Sequence, residues 1–303
     1  MRWPDDLGGW PNAETSRRVD LAPYRFHLQE AGPPDAPAML LLHGAGGATH
    51  SWRDVLMPLA ARYRVLAPDL PGHGFSTLGA AALSGLGPMT RAVDGLCAAL
   101  GRSPEILVGH SAGAAIALRL ALDRQARGDP PAAVIGINPA LADFDGIAGW
   151  LFPMAAKALA ATPFAATLLM AGGSARDRTR RLIEGTGSDL DAAGIAAYAR
   201  LFSDRAHVDG VLQMMARWSL GGLRRDLGGL AVPCLFLLGG RDRAVPPDTI
   251  HRLPAMPPGA RIETHPEAGH LLHEERPARF LASVAAFLDG LDLAKPAAAG
   301  AAT

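Results

Sequence analysis

Residues 105–122 read EILVGHSAGAAIALRLAL. The stretch opens as a short apolar run, turns through Gly109-His110-Ser111-Ala112-Gly113 and continues as an Ala- and Leu-rich run. The first run fits a buried strand, and the second is long enough for a helix. Glycine lacks a Cβ, so strand and helix can approach closely at 109 and 113, and Ser111 can sit in strained backbone. Such a turn lifts the hydroxyl above the sheet, and the helix N-terminus behind it supplies free N–H groups and a positive dipole end. Ser111 is therefore the candidate nucleophile. The alternative is a chance G-x-S-x-G match, which the strand–turn–helix context disfavours.

Outward from this turn the chain alternates short strands with helices. Candidate strands are 18–22, 24–30, 38–42, 64–68, 105–109, 133–138, 233–239 and 260–264. The later ones are near-continuous apolar runs, as expected when both faces of a parallel sheet are covered. Helical patterns lie at 50–61, 88–100, 111–126, 246–253 and 277–289. The alternation implies right-handed crossovers and an α/β fold: a doubly wound, mostly parallel, eight-stranded sheet. From 139 to 222 no strand pattern occurs, only Ala- and Leu-rich stretches broken by Pro and Gly. About 80 residues is too long for a simple connection, so the interval is expected to be an inserted helical cap. The core is then 1–138 plus 223–290, with 1–17 an arm lying on it. The Ala-rich tail 291–303 is expected to be disordered.

A serine hydroxyl needs a base, and ten histidines are available. His270 lies in EAGHLLHEERP, a short turn before the last long helix. His273 would face elsewhere, and a surface or supporting role is favoured for it. His251 and His265 lack Gly-flanked loop positions. His110, inside the elbow, reads as a packing neighbour. The base must be held in one tautomer by an acid. Asp242, in GGRDRAVPP, follows the apolar run CLFLLG and would reach the same rim of the sheet. Asn138 ends the preceding strand and is no carboxylate, which strengthens Asp242. The order Ser111, Asp242, His270 is the order expected of a triad on this fold.

Acyl transfer also needs donors for an oxyanion. The Ala112 N–H follows the nucleophile, and Ala45 is the second candidate, in the loop HGAGG (43–47) after strand 38–42. The segment DLPGHGFS (69–76) reads as a loop shaping the pocket floor. Asp69 and His73 could form a second acid–base pair, but a structural role is favoured.

Composition narrows the function. Acids and bases balance at 29 each, with no basic block, which argues against a nucleic-acid binder. Apolar residues make up 49% of the chain, enough for a sizeable core. Cys97 and Cys234 each sit in an apolar run, with neither metal-site spacing nor the density of a disulfide scaffold, which fits a reducing compartment. The start, MRWPDD, lacks the apolar region of a signal peptide, so a cytoplasmic location is expected. The most apolar stretch, 150–170, contains Pro153, Lys157 and Pro163, so a lid or a membrane-surface contact suits it better than a transmembrane segment.

The HG loop, DLPGHGFS, GHSAG, GRDRAVPP and GHLLHEERP occur in the order found in the α/β-hydrolase superfamily, which the chain resembles from about residue 18 to 289. The arm WPNAETSRRVD, the segments RFHLQEAGP and HSWRDVLMPLA, and the run RRLIEGTGSDLDAAGIAAYARLF resemble the magnesium chelatase accessory proteins of bacteriochlorophyll biosynthesis. This resemblance implies a role near Mg²⁺ insertion into protoporphyrin IX, in the cytoplasm of a photosynthetic bacterium, with magnesium chelatase subunits as candidate partners.

The expected pocket is lined by His43, Gly44 and His110 from the core and by Trp150, Phe152, Phe164, Leu168, Met214 and Trp218 from the cap. Aromatics and Met suit an apolar small molecule, a tetrapyrrole such as Mg-protoporphyrin being the candidate. For each residue singly, packing of cap on core is the slightly favoured alternative. No metal-ligand spacing and no P-loop is visible, so neither a metal nor another cofactor is expected. Three functions follow: a cofactor-free serine hydrolase in that pathway, a non-catalytic tetrapyrrole-binding accessory protein, or a general carboxylesterase.

Overall fold

A computed structural model describes residues 1–141 and 174–291. Its centre is an eight-stranded sheet in the order β1-β2-β4-β3-β5-β6-β7-β8. The strands are β1 (Ser16–Leu21), β2 (Tyr24–Ala31), β3 (Ala38–Leu42), β4 (Arg64–Pro68), β5 (Ile106–His110), β6 (Ala133–Ile137), β7 (Cys234–Gly239) and β8 (Arg261–His265). Only the β1–β2 and β2–β4 pairings are antiparallel. Each expected strand is present, within two residues of the expected ends.

Period-two alternation divides the strands between two apolar layers. On one face Leu40, Leu42, Leu107, Val134, Cys234 and Phe236 join the core under helices α2 (Leu86–Ala99) and α3 (Ala112–Ala126). On the other, Met39, Leu41, Ile106, Val108, Ile135 and Leu237 pack with α1 (Leu56–Ala60) and the final helix of the chain. Every residue of β3, β5, β6 and β7 is buried, which is why these strands read as continuous apolar runs. At the edge, β8 is mostly exposed.

Between β6 and β7 the described residues form α4 (Ala175–Gly185), α5 (Ala192–Phe202), α6 (Arg205–Arg217) and α7 (Gly221–Asp226), with no strand among them. Ser174, Asp191 and Asp204 each accept a backbone N–H from the first turn of the next helix, at 3.1, 2.7 and 2.8 Å. Such N-caps contribute about 1 kcal/mol each and mark where these helices begin. The chain closes with α8 (Leu272–Glu275) and α9 (Pro277–Asp289).

Two helical expectations change. Residues 247–252 form a 3₁₀ segment, because Pro246 and Pro247 remove backbone donors. The 50–61 pattern divides into a 3₁₀ turn, Thr49–Trp52, and α1. The arm carries two 3₁₀ turns and is pinned by a buried Trp10, whose Nε1 donates to Thr49 Oγ1 at 2.9 Å. The expected tail and the 150–170 stretch lie outside the described residues, except for Leu291.

β3 leads to β4 on one side and is flanked by β5 on the other. The reversal opens a crevice at the C-terminal ends of β3 and β5, where open α/β sheets bind ligands. The HG loop and the Ser111 turn border it.

Candidate active site

Ser111 joins β5 to α3 with φ 52° and ψ −115°, left-handed backbone that a serine rarely adopts. Strain of this kind costs about 1–3 kcal/mol and persists only where the surroundings enforce it. Here the Ser111 N–H donates to Ile137 O at 2.9 Å, and its carbonyl accepts from Ala114 and Ala140. A Cβ on Gly109 would lie 2.4 Å from Gly113 O, and one on Gly113 only 2.1 Å from Leu42 O. Both glycines are therefore sterically required.

Asp242 follows β7 and His270 follows β8, and the two meet. His270 Nδ1 donates to Asp242 Oδ2 at 2.7 Å. Asp242 Oδ1 accepts the Ala244 and Val245 N–H groups at 2.8 Å each, which fixes the carboxylate. With its proton on Nδ1, a neutral His270 keeps a lone pair on Nε2. Ser111 Oγ makes no hydrogen bond to His270 in this structure; such contacts are often looser without a ligand and tighten when one binds. His110 packs beside His270: their ring centroids are 4.7 Å apart, and His110 Nε2 donates to the His270 carbonyl at 2.9 Å. His110 is thus a buried brace of the His270 loop.

Asn138 braces the same loop. Its Nδ2 donates to Gly269 O at 3.0 Å and His270 O at 2.8 Å, while its Oδ1 accepts the Gly239 N–H at 2.7 Å. It ties the end of β7 to the turn that carries His270. Its φ of 42° suits Asn, which tolerates left-handed backbone.

The HG loop abuts the elbow. A Cβ on Gly44 would lie 3.1 Å from Ser111 Cβ. The Gly47 N–H donates to Gly44 O at 3.0 Å, which closes a turn with Ala45 and Gly46 at its corner. Among the described residues the Ala45 N–H has no acceptor, and the Ala112 N–H, first in α3, has none within its helix. His43 Nδ1 donates to Gly44 O at 2.8 Å, and Nε2 accepts the Leu70 N–H at 2.9 Å. With both nitrogens engaged and no exposed surface, His43 shapes the loop from inside rather than lining a pocket. Burial also pushes its pKa down, partly opposed by Asp69.

The second acid–base pair forms with a different partner. Asp69 accepts from His27 Nδ1 at 2.7 Å, from the Thr49 N–H at 2.7 Å and from the Phe75 N–H at 2.9 Å. Burial alone would raise its carboxyl, but His27 and these donors hold it well below the usual carboxylate range. The pair is fully buried and locks the DLPGHGFS loop to β2.

His273 is buried rather than superficial. Its Nε2 donates to Ser51 Oγ at 2.8 Å, and the Ser51 hydroxyl donates in turn to Glu274 Oε1 at 2.8 Å. Met214 is 1% exposed and packs in the core cluster beneath α2 and α3, with Trp218 against it, so both join inserted helices to core. Trp150, Phe152, Phe164 and Leu168 lie outside the described residues. Sequence reasoning missed Asn138 as a brace, and it missed Gly187 and Ser188. Ser188 Oγ accepts the Leu271 N–H at 2.9 Å, and a Cβ on Gly187 would lie 1.9 Å from Arg241 O. These inserted residues thus brace the loops that carry Asp242 and His270. The only sequence signal was a Gly-Ser turn between helical runs.

Sheet order, elbow and acid–base loop together define an α/β hydrolase architecture. The sequence matches the alpha/beta hydrolase family over residues 39–283, and the chain belongs to that family. It is 44% identical over 265 residues to the magnesium-chelatase 30 kDa subunit of Rhodobacter capsulatus, covering 88% of this chain and 91% of that protein. It is 28% identical to the sn-1-specific diacylglycerol lipase ABHD11 of Mus musculus, covering 88% and 85%. Among solved structures, epoxide hydrolase A from Mycobacterium thermoresistibile superposes with a TM-score of 0.70 at 25% identity, covering 92% of this chain and 99% of that one. No helix among the described residues is long and apolar enough to cross a membrane.

Proposed function

We propose that this chain is a cofactor-free serine hydrolase that cleaves an ester or related acyl bond of an apolar substrate in bacteriochlorophyll biosynthesis, near magnesium insertion into protoporphyrin IX. The observation that carries the chemistry is the Asp242–His270 hydrogen bond of 2.7 Å beside a strained Ser111 turn. Ser111 Oγ attacks the acyl carbon as its proton moves to His270 Nε2. Asp242 stabilises the imidazolium that results. The Ala45 and Ala112 N–H groups hold the oxyanion. Collapse expels the alcohol, which takes the proton from His270. Water then repeats the sequence, releasing the acid and freeing Ser111.

The pathway rests on the 44% identity to a protein named as a chelatase subunit. Chelatase subunits are accordingly the proposed protein partners, and a tetrapyrrole such as Mg-protoporphyrin the proposed ligand. The inserted helices between β6 and β7 act as its cap. The protein works in the cytoplasm, where the cap can also touch a membrane surface.

A second reading, a non-catalytic tetrapyrrole-binding accessory protein, is favoured by that relative's name. Complementation separates the two. In a strain lacking this protein, Ser111→Ala should fail to restore pigment synthesis if Ser111 chemistry is needed. Full restoration would select the accessory role. Brisk hydrolysis of short acyl esters without saturable quenching of tryptophan fluorescence by Mg-protoporphyrin would select a general carboxylesterase.

A further inference from the structure

The rings of His73 and His207 meet where α6 rests on the DLPGHGFS loop. Their centroids are 5.4 Å apart and the planes perpendicular, at 90°. Both side chains are buried. Contact across this seam is tight, since a Cβ on Gly210 of α6 would lie 2.0 Å from Gly72 O. The His43 ring, at the base of the loop that carries Ala45, is 5.3 Å from His73. His73 is thus one ring removed from the loop that carries Ala45.

Hydrogen bonds fix both tautomers. His73 Nδ1 lies 3.1 Å from Pro71 O. A carbonyl only accepts, so Nδ1 carries a proton. Burial, with the nearby His43, pushes the His73 pKa down to about 3, so the ring is neutral and Nε2 is a bare lone pair. In His207, Nδ1 accepts the Gly74 N–H at 3.1 Å. Burial, reinforced by His73 and His43, holds this ring well below the ordinary histidine range, so its single proton is on Nε2. Neither Nε2 has a hydrogen-bond partner. One buried acceptor and one buried donor are thus left unpaired on two rings in T-shaped contact. Buried polar atoms are nearly always paired, so two exceptions of complementary polarity on touching rings point to a shared partner.

We propose that His73 Nε2 and His207 Nε2 form a subsite for one neutral hydroxyl-bearing group, an alcohol or an un-ionised carboxyl, on a ligand held between the inserted helices and the Ser111 turn. The ligand oxygen accepts from His207 Nε2–H, and its own O–H donates to His73 Nε2. An anion would find one donor and an opposing lone pair. An ammonium group would find one acceptor and an opposing N–H. Binding here rests on the reading that a ligand occupies the crevice, but not on which bond is cleaved. A trapped water has the same donor and acceptor, so the test must separate the two sources.

Benzyl alcohol and toluene differ by one hydroxyl and serve as probes. Wild-type protein is titrated with each, and the imidazole ¹⁵N resonances are followed by NMR. Benzyl alcohol should shift Nε2 of both His73 and His207 saturably, whereas toluene should leave both unchanged. The preference for benzyl alcohol over toluene should fall about tenfold in His207→Phe, as expected for the one hydrogen bond lost. His207→Gln, which keeps an N–H donor, should recover part of it. The NMR titration needs no variant, so misfolding of His207→Phe leaves the test intact. The proposal is overturned if benzyl alcohol produces no saturable shift, or if the preference is the same in wild type and His207→Phe. It is also overturned if crystals soaked in benzyl alcohol retain only a water on the two nitrogens. Neither readout requires turnover, so a serine without activity and an empty subsite are separate results.

Discussion

Tyr198 of α5 donates a 2.7 Å hydrogen bond to Glu274 Oε1, four residues beyond His270. Glu274 also accepts from Ser51 at 2.8 Å and from Arg53 Nη1 at 2.5 Å, and Arg53 reaches Asp191, the N-cap of α5, at 3.5 Å. The inserted helices are thereby tied to the segment that follows His270 through a buried ion pair. Burial raises the Glu274 carboxyl, against the pull of Arg53 and three hydrogen bonds.

Glu274→Gln should be far more damaging than Tyr198→Phe. The first leaves the Arg53 guanidinium half-compensated in a buried place, at a cost of about 3–5 kcal/mol. The second removes one hydrogen bond, a loss of about 1–2 kcal/mol. Urea unfolding of the two variants checks the ranking. Equal losses would show that Arg53 finds its compensation elsewhere.

Stability should fall steadily on acidification below neutrality. Burial pushes His50 and His73 each down to about 3, and it also lowers His110, His207 and His273. Above about pH 6.5 these rings are neutral in both folded and unfolded chains and contribute no pH dependence. Below it the unfolded chain takes up protons that the fold refuses, so each ring costs about 1.4 kcal/mol per pH unit until its folded pKa is reached. Asp69, held low by His27, adds a further loss below about pH 4. Urea midpoints measured from pH 8 to pH 5 should drop with a slope worth several protons. A flat profile would mean that the rings are not buried neutral.

Gly109→Ala and Gly113→Ala should prevent folding, since their Cβ atoms would meet backbone at 2.4 and 2.1 Å. Gly101→Ala is the control. Its φ is +62° but nothing lies within 4 Å of the new Cβ, so it should cost only about 1 kcal/mol of backbone strain. Soluble yield and Tm of the three variants test the contrast.

Asn138→Ala should loosen the turn that carries His270 without touching Ser111 or Asp242. It deletes two donors to the Gly269 and His270 carbonyls and the acceptor for the Gly239 N–H. The expected result is slower acylation by an activated ester, with about 1–3 kcal/mol lost in stability. Unchanged acylation would remove Asn138 from the account of the base.

The fold was legible because its signals are local. Four fully buried strands announce themselves as apolar runs, and Gly109 and Gly113 bracket Ser111 in a context that few turns share. Asp242 and His270 were legible for the same reason: each sits on a short loop at a strand's end. Pairings set by packing were not. Asp69 takes His27, 42 positions away, because β2 and β4 are neighbours, whereas His73, four positions on, turns to Pro71 and α6. Tyr198 and Glu274 are 76 positions apart and look like an ordinary helix residue and a surface acid. Burial of that acid follows from where α5 lands on the core. His43 misled for a related reason, since a residue beside a crevice can face the protein as easily as the ligand.

The most direct measurement is covalent labelling of wild-type protein by a fluorophosphonate, with the modified residue located by mass spectrometry. Attack by Ser111, with His270 as base and Asp242 as its partner, predicts a single adduct on Ser111. That adduct should be absent in Ser111→Ala and form about 10⁴-fold more slowly in Asp242→Asn, where the imidazole tautomer is no longer enforced. A folded wild-type protein that stays unlabelled, or an adduct that persists in Ser111→Ala, would contradict the account.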